Sequence, residues 1–179
     1  MKHQRVTEIL YPFTGMKYID PVILENAAAR GTKVHKICES IIEGIDGWGV
    51  PDELEGYVSS FRQWWKKGHE VVAVEKRMFC DKLGITGQAD IIIKDEKKGL
   101  TIVDLKTSQS ESKSWMLQGS AYSYLAKQMG YDVKNILFIR LRRDGSAPKF
   151  HEYEENFQLF EECLNVYRYF YGRKPRKRT

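Results

Sequence analysis

No stretch of this 179-residue chain is apolar for the roughly 18 residues a membrane-crossing helix needs, and no hydrophobic secretory segment opens it. Cysteine is scarce: Cys38, Cys80 and Cys163 are far apart and odd in number. They fit neither a disulfide framework nor a zinc-ligand spacing, which predicts a reducing, cytoplasmic setting without membrane contact. Internal repeats and domain linkers are also missing, so the length predicts one domain over 1–172 with a basic, flexible tail at 173–179. Outside that tail there is no excess of either charge. Arg173, Lys174, Arg176, Lys177 and Arg178 account for the whole net charge of +5. Such a run reads either as a solvated end or as a phosphate-binding arm.

What is present is a regular alternation of helical and strand patterns. After a lead-in over 1–20, expected to be irregular and anchored by Ile9, Leu10, Tyr11 and Phe13, Asp20-Pro21 marks a helix start. A helical period then runs to about Ile45, with Gly31 either breaking it or admitting a close neighbour. A second helix is expected from Pro51-Asp52 to Lys67. Its stripe of Leu54, Tyr57, Val58, Phe61, Trp64 and Trp65 reads as core rather than as a base-stacking platform.

Three strands follow, roughly 71–79, 85–94 and 100–106, joined by short glycine-ended links that describe an antiparallel meander. A helix at about 114–129, strands at 135–142 and 149–153, and a last helix burying Phe157, Phe160, Leu164, Tyr167 and Tyr171 complete the chain. The order predicts an α/β sandwich around a mixed sheet.

Two of these apolar strands carry acids. Alternation puts Asp104 and Lys106 on one face of their strand, with Val103 and Leu105 on the other, and the hairpin brings Asp90 alongside. Two neighbouring carboxylates repel unless a proton or a divalent cation lies between them, so a metal site for hydrolysis is the natural reading. A single Asp–Lys pair would fit a decorated surface; the three residues in apolar company fit a site better. Glu75, on the strand before, reads equally as a fourth member or as the wet side of its strand. His35 and Glu39 share a helical face, as do Gln118 and Tyr122. Lys113, Arg140, Arg142 and Arg143 are candidate phosphate contacts with no position yet.

The ordered set Gly87-x-x-Asp90, Asp104-x-Lys106 and Gln118-x-x-x-Tyr122 resembles the PD-(D/E)XK nuclease superfamily. Upstream, Arg30-Gly31-Thr32-Lys33-Val34-His35 with Glu39 is similar to the helix motif of its RecB-like exonuclease branch. The resemblance spans about 28–124 in the order the family uses. It implies a single-domain restriction-endonuclease-like fold, with the meander, a crossover helix and further strands flanked by helices.

It also implies that Asp90, Asp104, the Leu105 carbonyl and His35 hold one or two Mg²⁺ or Mn²⁺ ions, hard cations suited to oxygen ligands. Lys106 would position or help deprotonate the attacking water, while Gln118 and Tyr122 brace the site and contact the DNA backbone. Glu75 is kept with the catalytic set, and Lys113 and the tail cations with DNA binding. An iron–sulfur cluster of the kind held by four cysteines in some relatives is not expected. The activity implied is metal-dependent exonucleolytic hydrolysis of linear DNA, single- or double-stranded, in phage or bacterial recombination or repair, with a recombination protein as a candidate partner. Two alternatives stay open: a structure- or site-specific endonuclease on the same core, and a DNA-binding module without chemistry.

Overall fold

The computed structural model describes residues 3–45, 49–65 and 68–172; the basic tail and the lysines expected to end the second helix lie outside these. Strands β2 (Glu70–Cys80), β3 (Ile85–Asp95) and β4 (Gly99–Lys106) form the antiparallel meander. Gly84 and Gly99, with φ of +55° and +73°, close its two hairpins in left-handed backbone that other residues enter only with strain. Helix α4 (Ser114–Gln128) then crosses the sheet to β5 (Val133–Arg140), which lies parallel to β4. Parallel neighbours require such a crossover. β6 (Lys149–Tyr153) returns antiparallel along β5. β5 sits two residues earlier than the sequence suggests, because its register runs from Leu100↔Val133 to Lys106↔Arg140. Arg142 and Arg143 are thereby placed in a loop.

The first twenty residues correct the expectation of an irregular lead-in. Gln4–Arg5 is a short strand, β1, parallel to Ile85 and Thr86 of β3. Helix α1 (Val6–Leu10) buries Val6, Ile9 and Leu10, an i, i+3, i+4 stripe. Tyr11 and Phe13 are exposed instead of anchoring the segment. Two single-turn 3-10 helices, Tyr11–Phe13 and Met16–Tyr18, lead into α2 (Pro21–Ile42). There the Val22 N–H donates to Asp20 Oδ1 at 2.8 Å, the expected N-cap. α2 ends at Ile42, short of Ile45, and runs unbroken through Gly31. A Cβ on Gly31 would stand 3.6 Å from Thr107 Oγ1, an ordinary contact, so neither a break nor a tight neighbour accounts for this glycine.

Helix α3 (Asp52–Trp65) buries Leu54, Tyr57, Val58, Phe61 and Trp64, which settles that stripe as core. With α2 it covers one face of the sheet, packing on Ile91, Ile93, Val103, Leu105 and Ile139. On the other face α1, α4 and α5 (Phe157–Tyr171) pack against Met78, Ile85, Ile92 and Ile102. Each fully buried aliphatic side chain contributes about 1.5–3 kcal/mol. α5 contributes Phe160 and Leu164 to this core, whereas Tyr171 is exposed. Among the described residues, then, five α-helices flank a mixed six-stranded sheet in the restriction-endonuclease-like arrangement.

Candidate active site

The site lies where β3 and β4 part. β4 pairs with β3 only over Ile91–Asp95, and β1 pairs with it at Ile85 and Thr86. Between those ladders the strand carries Gly87 to Asp90. The Leu105 N–H, beyond the last β3–β4 pair, donates to Asp90 Oδ2 at 2.7 Å. A buried N–H left bare costs about 1–3 kcal/mol, so the Asp90 carboxylate substitutes for the missing strand carbonyl. Gly87 is fixed by a side chain from the facing helix: a Cβ there would fall 2.5 Å from Tyr122 Cε1.

Asp104 occupies the α4 side of the fork, with only 3% of its side chain exposed. Its Oδ1 accepts from Gln118 Nε2 at 2.9 Å. Its Oδ2 lies 2.6 Å from Lys106 Nζ, but that atom accepts no well-oriented hydrogen bond among the described residues. Lys106 Nζ also donates to Gln118 Oε1 at 3.2 Å and stands 5.2 Å above the Phe138 ring. Gln118 thus grips both members of the pair, and its Nε2 reaches Tyr122 Oη at 3.2 Å. Burial is the largest influence on the Asp104 carboxyl; with the nearby Asp90 charge it outweighs Lys106 and pushes the pKa up to about 6. Burial likewise drives the Tyr122 phenol well up, so it stays neutral.

From the opposite layer, His35 on α2 brings Nδ1 to 3.4 Å from Asp90 Oδ1. Burial alone would lower the imidazole pKa, but the charge and hydrogen bond of Asp90, with the charge of Asp104, outweigh it and raise the value to about 9. Burial would raise Asp90, and His35, Lys106 and the Leu105 N–H together hold it below the usual carboxylate range.

Glu75 joins this group through an unusual backbone: its φ is +47°, and it falls between the Val74↔Ile91 and Lys76↔Ala89 pairs of the β2–β3 ladder. Such a conformation costs about 1–3 kcal/mol in a non-glycine residue and is a recurrent sign of a functional site. Its carboxylate accepts from Gln88 Nε2. Burial and Asp90 raise its pKa.

One ligand atom each from His35, Glu75 and Asp90 falls within 4.8 Å of the others. These donors, one nitrogen and two carboxylate oxygens, fit a divalent cation. Asp104 is outside that triplet and adds a buried carboxylate oxygen, Oδ2, held 2.6 Å from the Lys106 ammonium. Of the residues expected from sequence, the fold therefore brings together His35, Glu75, Asp90, Asp104, Lys106, Gln118 and Tyr122. Leu105 enters through its N–H. Lys113 is exposed at the start of α4. Arg173, Lys174, Arg176, Lys177 and Arg178 lie outside the described residues.

The sequence reading missed Gln88, which holds Glu75. Its signal was available, as Thr86, Gln88 and Asp90 are polar at every second position of an otherwise small or apolar strand. Thr107 was also missed. It is buried directly after Lys106 and, with Arg140, Arg142 and Arg143, lines a cavity of about 560 Å³. Gly56 lets that arginine loop settle on α3, since a Cβ there would lie 1.7 Å from the Arg143 carbonyl oxygen.

Comparison with known proteins agrees with this geometry. No curated protein matches the chain. A solved structure described as "Crystal structure of SSO0001" aligns with 97% of this chain and 78% of its own, at 14% identity and a TM-score of 0.45, too loose a likeness to carry any argument. The model of the PD-(D/E)XK nuclease superfamily, in contrast, matches residues 23–170 and so takes in the site residues from His35 to Tyr122, with β1 and α1 outside the match. The chain belongs to the PD-(D/E)XK nuclease superfamily.

Proposed function

We propose that this protein is a metal-dependent DNA exonuclease that hydrolyses phosphodiester bonds from the ends of linear DNA. The observation that carries the chemistry is the fork itself: Asp90 and Asp104 on parting strands, Lys106 against Asp104, and His35 against Asp90. His35, Asp90, Asp104 and the Leu105 carbonyl would hold Mg²⁺ or Mn²⁺, with Glu75 as a further carboxylate. The bound cation supplies neutralisation of the scissile phosphate and a lowered water pKa.

The chain's own groups do the rest. Asp104 and Gln118 each engage one direction of the Lys106 ammonium, which has three donors, so a further N–H is available to orient the attacking water or a phosphoryl oxygen. Gln118, fixed by Asp104 and Tyr122, keeps that ammonium in place. Asp90 ties the open end of the fork to β4 through the Leu105 N–H.

The exonuclease reading rests on His35, the residue by which the sequence resembles the RecB-like branch; recombination or repair is the setting this resemblance implies. The test is digestion of end-labelled linear DNA and covalently closed circles with Mg²⁺, with Mn²⁺ and with a chelator. Linear molecules should shorten from their ends only with metal, and circles should survive. Cutting of circles would replace this reading with an endonuclease, and inertness towards all DNA would remove the chemistry.

A further inference from the structure

We infer that the segment from Tyr11 to Ile19 is a stacking shelf for unpaired bases of the strand being cut, so that the enzyme acts on single-stranded or frayed ends. This rests on the nuclease reading above and deepens it.

The shelf is apolar yet unburied. Tyr11, Phe13 and Tyr18 are 44%, 46% and 82% exposed, and Met16 and Ile19 are exposed beside them. Their exposure follows from how the segment is held. Core packing here belongs to Val6, Ile9 and Leu10. The two 3-10 turns close on their own backbone, with Thr14 N–H donating to the Tyr11 carbonyl at 3.2 Å and Ile19 N–H to that of Met16 at 3.0 Å. Gly15, at φ +74°, supplies the left-handed link between the turns. The backbone is therefore fixed without the large side chains, which remain turned to solvent.

Position ties the shelf to the chemistry. Tyr11 and Met16 line a cavity of about 340 Å³ with Arg5, Thr7, Ser114 and Gln118. Gln118 is the side chain that holds Asp104 and Lys106, so one amide separates the shelf from the catalytic pair.

Charge then divides the labour. Beyond Lys106, the cavity starting at Thr107 is net cationic: Arg140, Arg142 and Arg143 face one acid, Asp144, which lies 3.2 Å from Arg142 Nη2. Arg143 also lines a neighbouring cavity in which Arg30 and Lys33 stand with one acid, Glu53. On the shelf side, Arg5 Nη2 is 2.6 Å from Glu8 Oε1, and the Lys17 ammonium lies 5.0 Å from the Tyr18 ring centroid. Phosphates suit the arginine side and base faces suit the shelf. Inside a duplex both faces of a base are already stacked, so only an unpaired or terminal base can use the shelf.

The experiment measures binding in a Lys106→Ala background with Mg²⁺, which keeps the DNA intact. Labelled single strands, the same strands carrying abasic sites, and blunt duplexes are compared before and after adding Tyr11→Ala and Tyr18→Ala. Affinity for the normal strand should fall about 5- to 150-fold per lost stack, with an unchanged salt slope. The abasic strand should lose nothing, and Tyr11→Phe with Tyr18→Phe should restore binding. An equal loss on abasic strands or blunt duplexes overturns the shelf. So does unchanged binding with an altered oligomeric state by light scattering, which would make the segment an interface between copies. Unchanged binding with full cleavage by the otherwise wild-type tyrosine variants sinks the shelf alone. Failure of the unsubstituted protein to bind or cut any strand sinks the nuclease reading with it.

Discussion

Replacing Asp104 by Asn should stabilise the metal-free protein while abolishing cleavage. The carboxyl is almost fully buried and its pKa stands at about 6 against an ordinary 3.8. Because the folded value is raised, Asp104's favourable contribution is complete below the unfolded pKa and is lost as pH rises through the folded one. The gap corresponds to ~3 kcal/mol of destabilisation above pH 7. Asn keeps an oxygen for Gln118 Nε2 and removes the buried charge. The variant should therefore melt higher than wild type by ~6–12 °C at pH 8 in chelator, given roughly 2–4 °C per kcal/mol for a chain of this size. The advantage should fade as pH falls from 6 towards 4. Adding Mg²⁺ or Mn²⁺ at roughly a thousandfold excess over Kd should reverse the order, since it adds ~4.1 kcal/mol to the protein that binds it. Differential scanning fluorimetry across pH, with and without metal, reads all of this. An Asp104→Asn protein that melts below wild type in chelator at pH 8 would refute the picture of a buried, frustrated carboxylate awaiting a cation.

Four further outcomes are expected, three from the same geometry and one from the charge of the tail. His35 has a raised folded pKa, so its pairing with Asp90 stabilises the metal-free protein fully below pH 6.5 and is lost as pH rises through about 9; melts of wild type and His35→Ala in chelator should converge above pH 9. His35→Ala should also lose most activity, and more of the Mn²⁺-supported than the Mg²⁺-supported rate, because imidazole favours the softer ion. Gly87→Ala should cost ~1–3 kcal/mol by urea denaturation and lower kcat, because its Cβ must displace Tyr122 from beneath Gln118. Truncation after Gly172 should flatten the salt dependence of DNA binding by about 0.9 log–log units per lost phosphate contact and leave cleavage at saturating DNA intact; an unchanged slope returns the tail to a solvated end.

The meander, the crossover and the pairing of Asp104 with Lys106 were legible because period-two alternation and glycine turns are local signals. His35 and Gln118 were legible from their helical spacing. Glu75 was legible only as one of two equal readings of its strand, and its left-handed φ at a non-glycine residue is something no composition rule announces. β1 was too short to show a pattern, and its partner lies about eighty residues downstream at Ile85. The i, i+3, i+4 stripe of Val6, Ile9 and Leu10 was there to be read as a short helix. Tyr11 and Phe13 looked like anchors because apolar residues usually are, and only tertiary packing shows them left outside. The arginine cluster after β5 depends on how that loop lands on Gly56 of α3, a contact between distant segments.

The most direct measurement of the central claim is metal-dependent DNA cleavage by wild type, Asp104→Asn and Lys106→Ala under single-turnover conditions, each first shown folded by its melt. The account predicts cleavage by wild type with Mg²⁺ or Mn²⁺, none with chelator, and none by either variant with any metal. Cleavage by either variant at near-wild-type rate would contradict it.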